Sequence, residues 1–383
     1  MDLLSARAVP EHARETKRQA RAFADEHVLP NAAELDASAE YPTEIIDAAK
    51  ERNLAGQYVP EEYGGEGWTL ADRLAAVEEF FRGDGGIGLA LQLVDFGAKV
   101  VTMYGTEEQK SEWLPPVAAG DRITGLAATE PRGGSDLARM GTTATRDGGE
   151  YILDGEKYWT SNGVSADWIV VYARTGEDQG HQNYSLFIVP TDDPGYDAEE
   201  ITQKMGLRAS QQARVELDGV RVPADNRLGE EGSGFYNLAR FFNYGRIAVA
   251  GHGLGIAAAA LEEAWAYVHD RELYDESVAD NQTVQHRLVK MREQFEAARA
   301  LSWTACERVM DGDDPAFWAS LAKARTTRMA ETVAREAAQL HGGEGLRMET
   351  RANRAFRDAK YPSIYEGPNA VQRDIAYGHW PEE

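Results

Sequence analysis

The stretch Leu126-Ala127-Ala128-Thr129-Glu130-Pro131-Arg132-Gly133-Gly134-Ser135-Asp136 lies where the chain changes texture. On its N-terminal side, to about Asp121, the pattern is helical. Ala13–His27, Thr43–Asn53 and Leu70–Phe81 carry apolar residues at three- and four-residue steps. Tyr104-Gly105-Thr106-Glu107-Glu108 reads as a helix end, a turn and a capped restart. Downstream, Tyr151-Ile152-Leu153, Trp168–Ala173, Tyr184–Val189 and Arg214–Leu217 are short β-branched or aromatic runs. Turn residues such as Asp147-Gly148-Gly149 and Asp192-Asp193-Pro194-Gly195 separate them. Beyond residue 233 long helical stripes return: Val284, Leu288, Met291, Phe295 and Ala298 form one, Ala330, Val333, Ala337 and Leu340 another. Gly251–Ala260 is crowded with small residues that let helices approach closely.

This order predicts a multi-domain α+β chain: an N-terminal α-helical domain over residues 1–122, a middle antiparallel β-domain over 123–233 and a C-terminal α-helical domain over 234–383. A length of 383 residues exceeds what one core usually carries.

Forty basic residues against 64 acidic ones give a net charge of −24. Phosphate binding needs excess positive charge, so this balance argues against a nucleic-acid partner and equally against docking on anionic lipid. Only nine of the basic residues are Lys. An acidic, Lys-poor surface points to a halophilic protein whose self-repulsion is screened by counterions; the alternative is an ordinary acidic cytosolic enzyme. The single cysteine, Cys306, lies in an apolar stretch and reads as a buried small residue rather than a nucleophile. Met1–Lys17 has no leader pattern. The apolar stretch Ile247–Leu261 is too short to span a bilayer. A cytoplasmic protein with no membrane insertion and no metal is expected.

Three motifs carry chemistry. Glu130 to Asp136 is a turn rich in backbone donors and small hydroxyls, suited to a flat polar cofactor or a phosphate; alone it is equally a surface turn. Trp159-Thr160-Ser161-Asn162-Gly163 offers an aromatic ring and hydroxyls at a strand end, and alone could be a hairpin. Tyr365-Glu366-Gly367-Pro368-Asn369 places a carboxylate between an aromatic and a glycine. That suits a general base beside an apolar pocket, though alone it also reads as a solvated Glu before a turn.

Together these segments resemble the acyl-CoA dehydrogenase family over nearly the whole chain. Supporting pieces follow in register: Lys204-Met205-Gly206, Val222-Pro223, Arg246, Arg271, Gln282, Gln339–Gly345 and Arg357-Asp358-Ala359-Lys360. The resemblance implies a C-terminal four-helix bundle, a homotetramer, and FAD held between the β- and C-terminal domains. It also implies oxidation of an acyl-CoA to the trans-2-enoyl-CoA, with electrons passed to electron-transferring flavoprotein. By resemblance, Glu366 is the α-proton base with a pKa raised toward ~6–7. Its backbone N–H is one of the donors to the thioester oxygen, and the β-hydrogen leaves as hydride to flavin N5.

The same resemblance assigns Leu126, Ala128, Thr129, Ser135, Trp159, Thr160 and Ser161 to the flavin side. Ser135, Asn243, Arg246 and Gly367 go to acyl-CoA. Arg271, Tyr274, Gln282, Gln339, Gly342 and Gly343, with Pro368 and Ala370, go to FAD, part of it belonging to a neighbouring subunit. Departures fall at Tyr274-Asp275, Pro368, Ala370 and Gly378, which loosen the expected grip on the FAD adenosine and on CoA. Some branches carry the base just before the CoA-contacting Arg; here that position is Gly245, so Glu366 has no rival. The Arg that marks glutaryl-CoA dehydrogenases is not evident between Gly86 and Gly97. Oxidase, enoyl-CoA reductase, flavin monooxygenase and non-catalytic acyl-CoA-binding subunit are alternatives on the same scaffold. The pocket floor is expected near Leu89–Phe96. There Gln92 and Asp95 either shape a polar pocket or, the favoured reading, face solvent or a neighbouring helix.

Overall fold

The computed structural model describes residues 9–381. Residues 1–8, and with them half of the Met1–Lys17 reading, lie outside the described residues. The N-terminal block holds α1 (Arg14–Phe23), α2 (Ala32–Ser38), α3 (Thr43–Glu51), α4 (Leu70–Gly83), α5 (Gly85–Leu93), α6 (Phe96–Tyr104), α7 (Glu107–Trp113) and α8 (Pro115–Ala118). Side chains set these boundaries. Thr69 and Asp72 form a capping box on α4, and Thr106 and Gln109 form another on α7, which is the restart read from the sequence. The Asp84 carboxylate accepts from Gly86 N and Ile87 N at the start of α5.

The middle block is one eight-stranded sheet: β1 (Thr124–Ala127), β2 (Thr143–Asp147), β3 (Glu150–Ser161), β4 (Trp168–Arg174), β5 (Tyr184–Pro190), β6 (Tyr196–Glu200), β7 (Gln212–Pro223) and β8 (Arg227–Leu228). The main path runs β6-β7-β3-β1-β4-β5-β8, with β2 pairing β3 and β4. The sheet is antiparallel except where β4 meets β1 and β2. The excursion through β2 and β3 brings the chain back beside β1 in the same direction, which a hairpin cannot do.

The C-terminal block begins with α9 (Gly234–Asp270), followed by a small hairpin of β9 (Glu272–Leu273) and β10 (Glu276–Ser277). Then come α10 (Gln282–Met310), α11 (Pro315–Leu340), α12 (Arg351–Asp358) and α13 (Asn369–Gly378). The three long helices pack together, the short α12 lies against α9 and α11, and α13 lies against α11. By length and composition α9 could cross a membrane, which the Ile247–Leu261 reading did not allow for. Its most apolar window is 89% buried, as befits a core helix. Glycines permit that: a Cβ on Gly255 would lie 2.4 Å from Glu78 O of α4, and one on Gly253 2.9 Å from Thr326 of α11.

Helix α12 ties the three blocks together. Arg357 forks onto Asp36 of α2 at 2.9 and 2.5 Å, and its Nη1 also donates to Met205 O. Asp358 accepts from Leu207 N at 2.6 Å. Arg354 approaches Asp84 at 3.4 Å. Arg357 and Asp36 are both buried, so removing one partner strands a charge. Arg357→Ala is expected to lower unfolding stability by about 3 kcal/mol, read as a shifted denaturant midpoint. A change within about 0.5 kcal/mol would show that the pair does not join the blocks.

Candidate active site

Two elements of the sheet bring the first two motifs together. Leu126 of β1 lies opposite Ser161 of β3, and Thr129 O accepts from Tyr158 N at 2.8 Å. The Glu130–Asp136 turn is anchored from within. Glu130 accepts from Gly141 N, Thr142 N and Thr142 Oγ1 at 2.6–2.8 Å, and Lys157 donates to it at 2.9 Å. Burial pushes the Lys157 ammonium down to about 8, while Glu130 opposes the shift. Between Lys157 and Thr160 the pairing of β3 with β7 shifts register, and Trp159 takes φ +59°. A bulge of this kind re-aims side chains, and Trp159 is 45% exposed although its strand is central. Beside it Thr160 Oγ1 is buried with no hydrogen-bond partner among the described residues. An exposed ring, an unpaired buried hydroxyl and the Thr129 and Ser161 hydroxyls fit the edge of a flat, hydrogen-bonding cofactor such as flavin. Ser135 is exposed on the turn.

The third motif is a left-handed turn. Glu366 has φ +50° and Gly367 +93°. A Cβ on Gly367 would sit 2.5 Å from Gln372 Nε2, so only glycine fits. The carbonyls of the turn are held from three sides. Glu366 O accepts from Arg246 Nε at 3.2 Å and Gln372 Nε2 at 3.0 Å. Gly367 O accepts from Lys323 Nζ at 2.7 Å and Gln372 Nε2 at 2.9 Å. Asn243 accepts from Arg246 Nη1 and fixes the guanidinium. Ahead of the turn, Tyr365 donates its hydroxyl to His252 Nδ1 at 2.6 Å, and His252 Nε2 in turn bonds Gln92 Oε1. The Gln92 acceptor places the ring proton on Nε2. Burial drives the His252 pKa well below its usual value, so the ring is neutral.

The Glu366 carboxylate rests on α9 at Gly245, where a Cβ would be 2.7 Å from Oε2. The glycine that removes a rival base thus also makes room for this one. Oε2 is buried and has no hydrogen-bond partner among the described residues, and neither does the Glu366 backbone N–H. Burial raises the Glu366 pKa above the ordinary carboxylate range; the charges on Lys99, Arg246 and Lys323 pull it back. Lys99 and Lys323 are themselves pushed down to about 7 by burial. The base therefore sits buried among cations that oppose its desolvation and favour its carboxylate form.

Lys99, Lys323 and His252 were not among the site residues expected from the sequence. Each is a polar residue in an otherwise apolar or small-residue helical run, and that was the available signal. Gln92 is buried and faces α9 through His252, and Asp95 is buried too, so neither faces solvent. Other expected residues do not join this cluster. Arg271, Tyr274, Gln282, Gln339, Gly342 and Gly343 are exposed on the chain, Tyr274 at φ +57° in the β9–β10 turn. Pro368 caps α13 and Ala370 is exposed on it. Among the described residues no group of three or more His, Cys, Asp or Glu could hold a metal ion.

Family models described as acyl-CoA dehydrogenase N-terminal, middle and C-terminal domains match residues 10–121, 125–220 and 232–379. An acyl-CoA dehydrogenase of Bacillus subtilis is 36% identical over 360 residues, 94% of this chain and 95% of that protein. The structure of butyryl-CoA dehydrogenase from Megasphaera elsdenii superimposes with a TM-score of 0.92 at 33% identity, covering 97% of this chain and 98% of that one. A glutaryl-CoA dehydrogenase from Mycobacterium smegmatis in complex with FADH2 gives a TM-score of 0.90 at 31% identity, covering 98% and 95%.

Replacing Lys323 by Met removes a cation beside Glu366, which disfavours the carboxylate form and raises its pKa. The Glu366 titration, followed by NMR of carboxyl-13C glutamate, is expected to move to higher pH. An unchanged or lower value would show that Lys323 does not act on the base.

Proposed function

The chain belongs to the acyl-CoA dehydrogenase family, and from that premise we propose that Glu366 removes the α-proton of an acyl-CoA thioester as the trans-2-enoyl-CoA forms. Membership makes the protein an FAD-dependent oxidoreductase. Bound FAD supplies the acceptor for the β-hydrogen as hydride. The observation that carries the reading is the Glu366 carboxylate over Gly245, with Oε2 unpaired and its pKa raised by burial. A base in that state is desolvated and poised to accept a carbon-bound proton.

The residues around it fit the other demands of the reaction. Removing an α-proton places negative charge on the thioester oxygen, and a donor already aimed there lowers the barrier. The free Glu366 N–H is such a donor, and the left-handed turn fixes its direction. Thr129, Trp159, Thr160 and Ser161 would hold the flavin edge, with the Leu126 and Ala128 backbone behind them. Ser135, Asn243, Arg246 and Gly367 would lie along the CoA thioester. Arg271, Tyr274, Gln282, Gln339, Gly342 and Gly343 would reach the FAD of a neighbouring subunit, with Pro368 and Ala370 beside its adenosine.

We assign electron-transferring flavoprotein as the electron acceptor, a homotetramer as the assembly and the cytoplasm as the location. Large apolar side chains left exposed on one chain, among them Tyr274, Val289, Leu346 and Tyr377, support an assembly. The acidic, Lys-poor composition supports adaptation to high salt. Sedimentation in high and low KCl reads both, and a monomer indifferent to salt would contradict both.

Anaerobic titration of the holoprotein with acyl-CoAs is expected to bleach the flavin absorption band. Glu366→Gln should retain FAD and acyl-CoA binding yet reduce the flavin at least about 10³-fold more slowly, since an amide cannot accept the α-proton. Near-normal bleaching by that variant would falsify the assignment.

A further inference from the structure

Five of the nine lysines are buried: Lys17, Lys99, Lys157, Lys204 and Lys323. Four have close acceptors. Lys17 pairs with Glu78 and Glu79, and Lys157 with Glu130. Lys204 donates to Gln212 at 2.7 Å and Lys323 to Gly367 O at 2.7 Å. Lys99 is the exception. Its one acceptor is Phe241 O at 3.5 Å, and no carboxylate among the described residues lies within ion-pair distance. A buried ammonium with unspent donors is costly unless an anion completes it.

Its surroundings are built rather than incidental. The ammonium lies 4.3 Å from the centre of the Phe241 ring and 4.9 Å from that of Tyr58, two aromatic faces that steady a cation without using its N–H groups. Tyr58 is locked in place, its N–H donating to Asp95 at 2.5 Å and its carbonyl accepting from Thr102. Arg73 stacks on the same ring at 4.5 Å. Arg73 and Lys99 both act on Asp95, which already spends one oxygen on the Tyr58 N–H, and Lys99 acts on Glu366 as well, beyond ion-pair distance.

The position relative to the base sets the ligand. Phe241 and Gly245 share a face of α9, one turn apart. Glu366 rests on Gly245 and Lys99 on Phe241. One helical turn is about 5.4 Å, the length of a few methylenes.

Resting on the acyl-CoA dehydrogenase reading, we propose that Lys99 is a specificity-determining residue that binds a carboxylate at the far end of a short acyl chain. The preferred substrate is the CoA thioester of a short dicarboxylic acid. The α-carbon meets Glu366, the chain runs along α9, and the terminal carboxylate takes the donors of Lys99 with Arg73 behind it. This departs from the expectation drawn from the missing Arg between Gly86 and Gly97, because the cation comes from a different helix, α6.

The test uses matched thioesters that differ only at the far end: glutaryl-CoA against pentanoyl-CoA, and adipyl-CoA against hexanoyl-CoA. Binding is measured by calorimetry in the full-length Glu366→Gln holoprotein, which does not turn them over. One carboxylate-ended ligand is expected to bind at least about tenfold tighter than its methyl-ended match. Lys99→Met should abolish that preference, and Lys99→Arg, which keeps the charge, should retain part of it. Equal affinities with Lys99 present would overturn the proposal, as would a Lys99→Met variant that weakens both members of a pair alike. The two readings fail separately. A wild-type flavin bleached by pentanoyl-CoA, with no preference for carboxylate, leaves the dehydrogenase and removes the substrate class. A flavin bleached by none of the four, with neither carboxylate-ended ligand bound, removes the substrate class and leaves the dehydrogenase reading to the wider acyl-CoA titration.

Discussion

Glu366 at φ +50° followed by Gly367 at +93° is a backbone conformation that a glutamate adopts only under constraint. Roughly 1–2 kcal/mol of local strain is offset by donors that converge on the two carbonyls from separate elements. Arg246 comes from α9, Lys323 from α11 and Gln372 from α13. The turn cannot form until those helices have docked. The C-terminal bundle is therefore the jig for the base, and the small-residue face of α9 is what lets α4 and α11 close on it.

The same convergence sets the electrostatics. Burial disfavours the carboxylate form of Glu366, and Arg246 and Lys323, which hold the turn, also draw its pKa back down. Structure and reactivity therefore depend on the same side chains. Lys323 both fixes the Gly367 carbonyl and charges the site. The neutral His252 relay from Gln92 to Tyr365 steadies the other end of the turn without adding charge.

How much of this the sequence discloses depends on distance along the chain. The change of texture at Leu126–Asp136, the restart at Thr106 and the small-residue run of α9 are local patterns, and each reads directly. Glu366 and Gly245 were singled out only through the family resemblance, since Tyr365–Asn369 taken alone also reads as a solvated Glu before a turn. The lysines were not. Lys323 acts 44 residues from Gly367, and Lys99 meets Phe241 across 142 residues. Within their own helices they read as isolated polar residues. The parallel pairing of β1 with β4 was hidden for a related reason, because strand direction in the sheet follows from the path between strands rather than from either strand's composition.

The central claim is that Glu366 removes a proton from carbon while held in this turn. It is tested most directly with an acyl-CoA analogue whose β-carbon is replaced by sulfur, which can lose an α-proton but no β-hydride. Incubated with the holoprotein in D2O and followed by proton NMR, its α-protons should exchange for deuterium. With Glu366→Gln, exchange should fall to the rate of the free thioester. Exchange that persists undiminished without the Glu366 carboxylate would contradict the account.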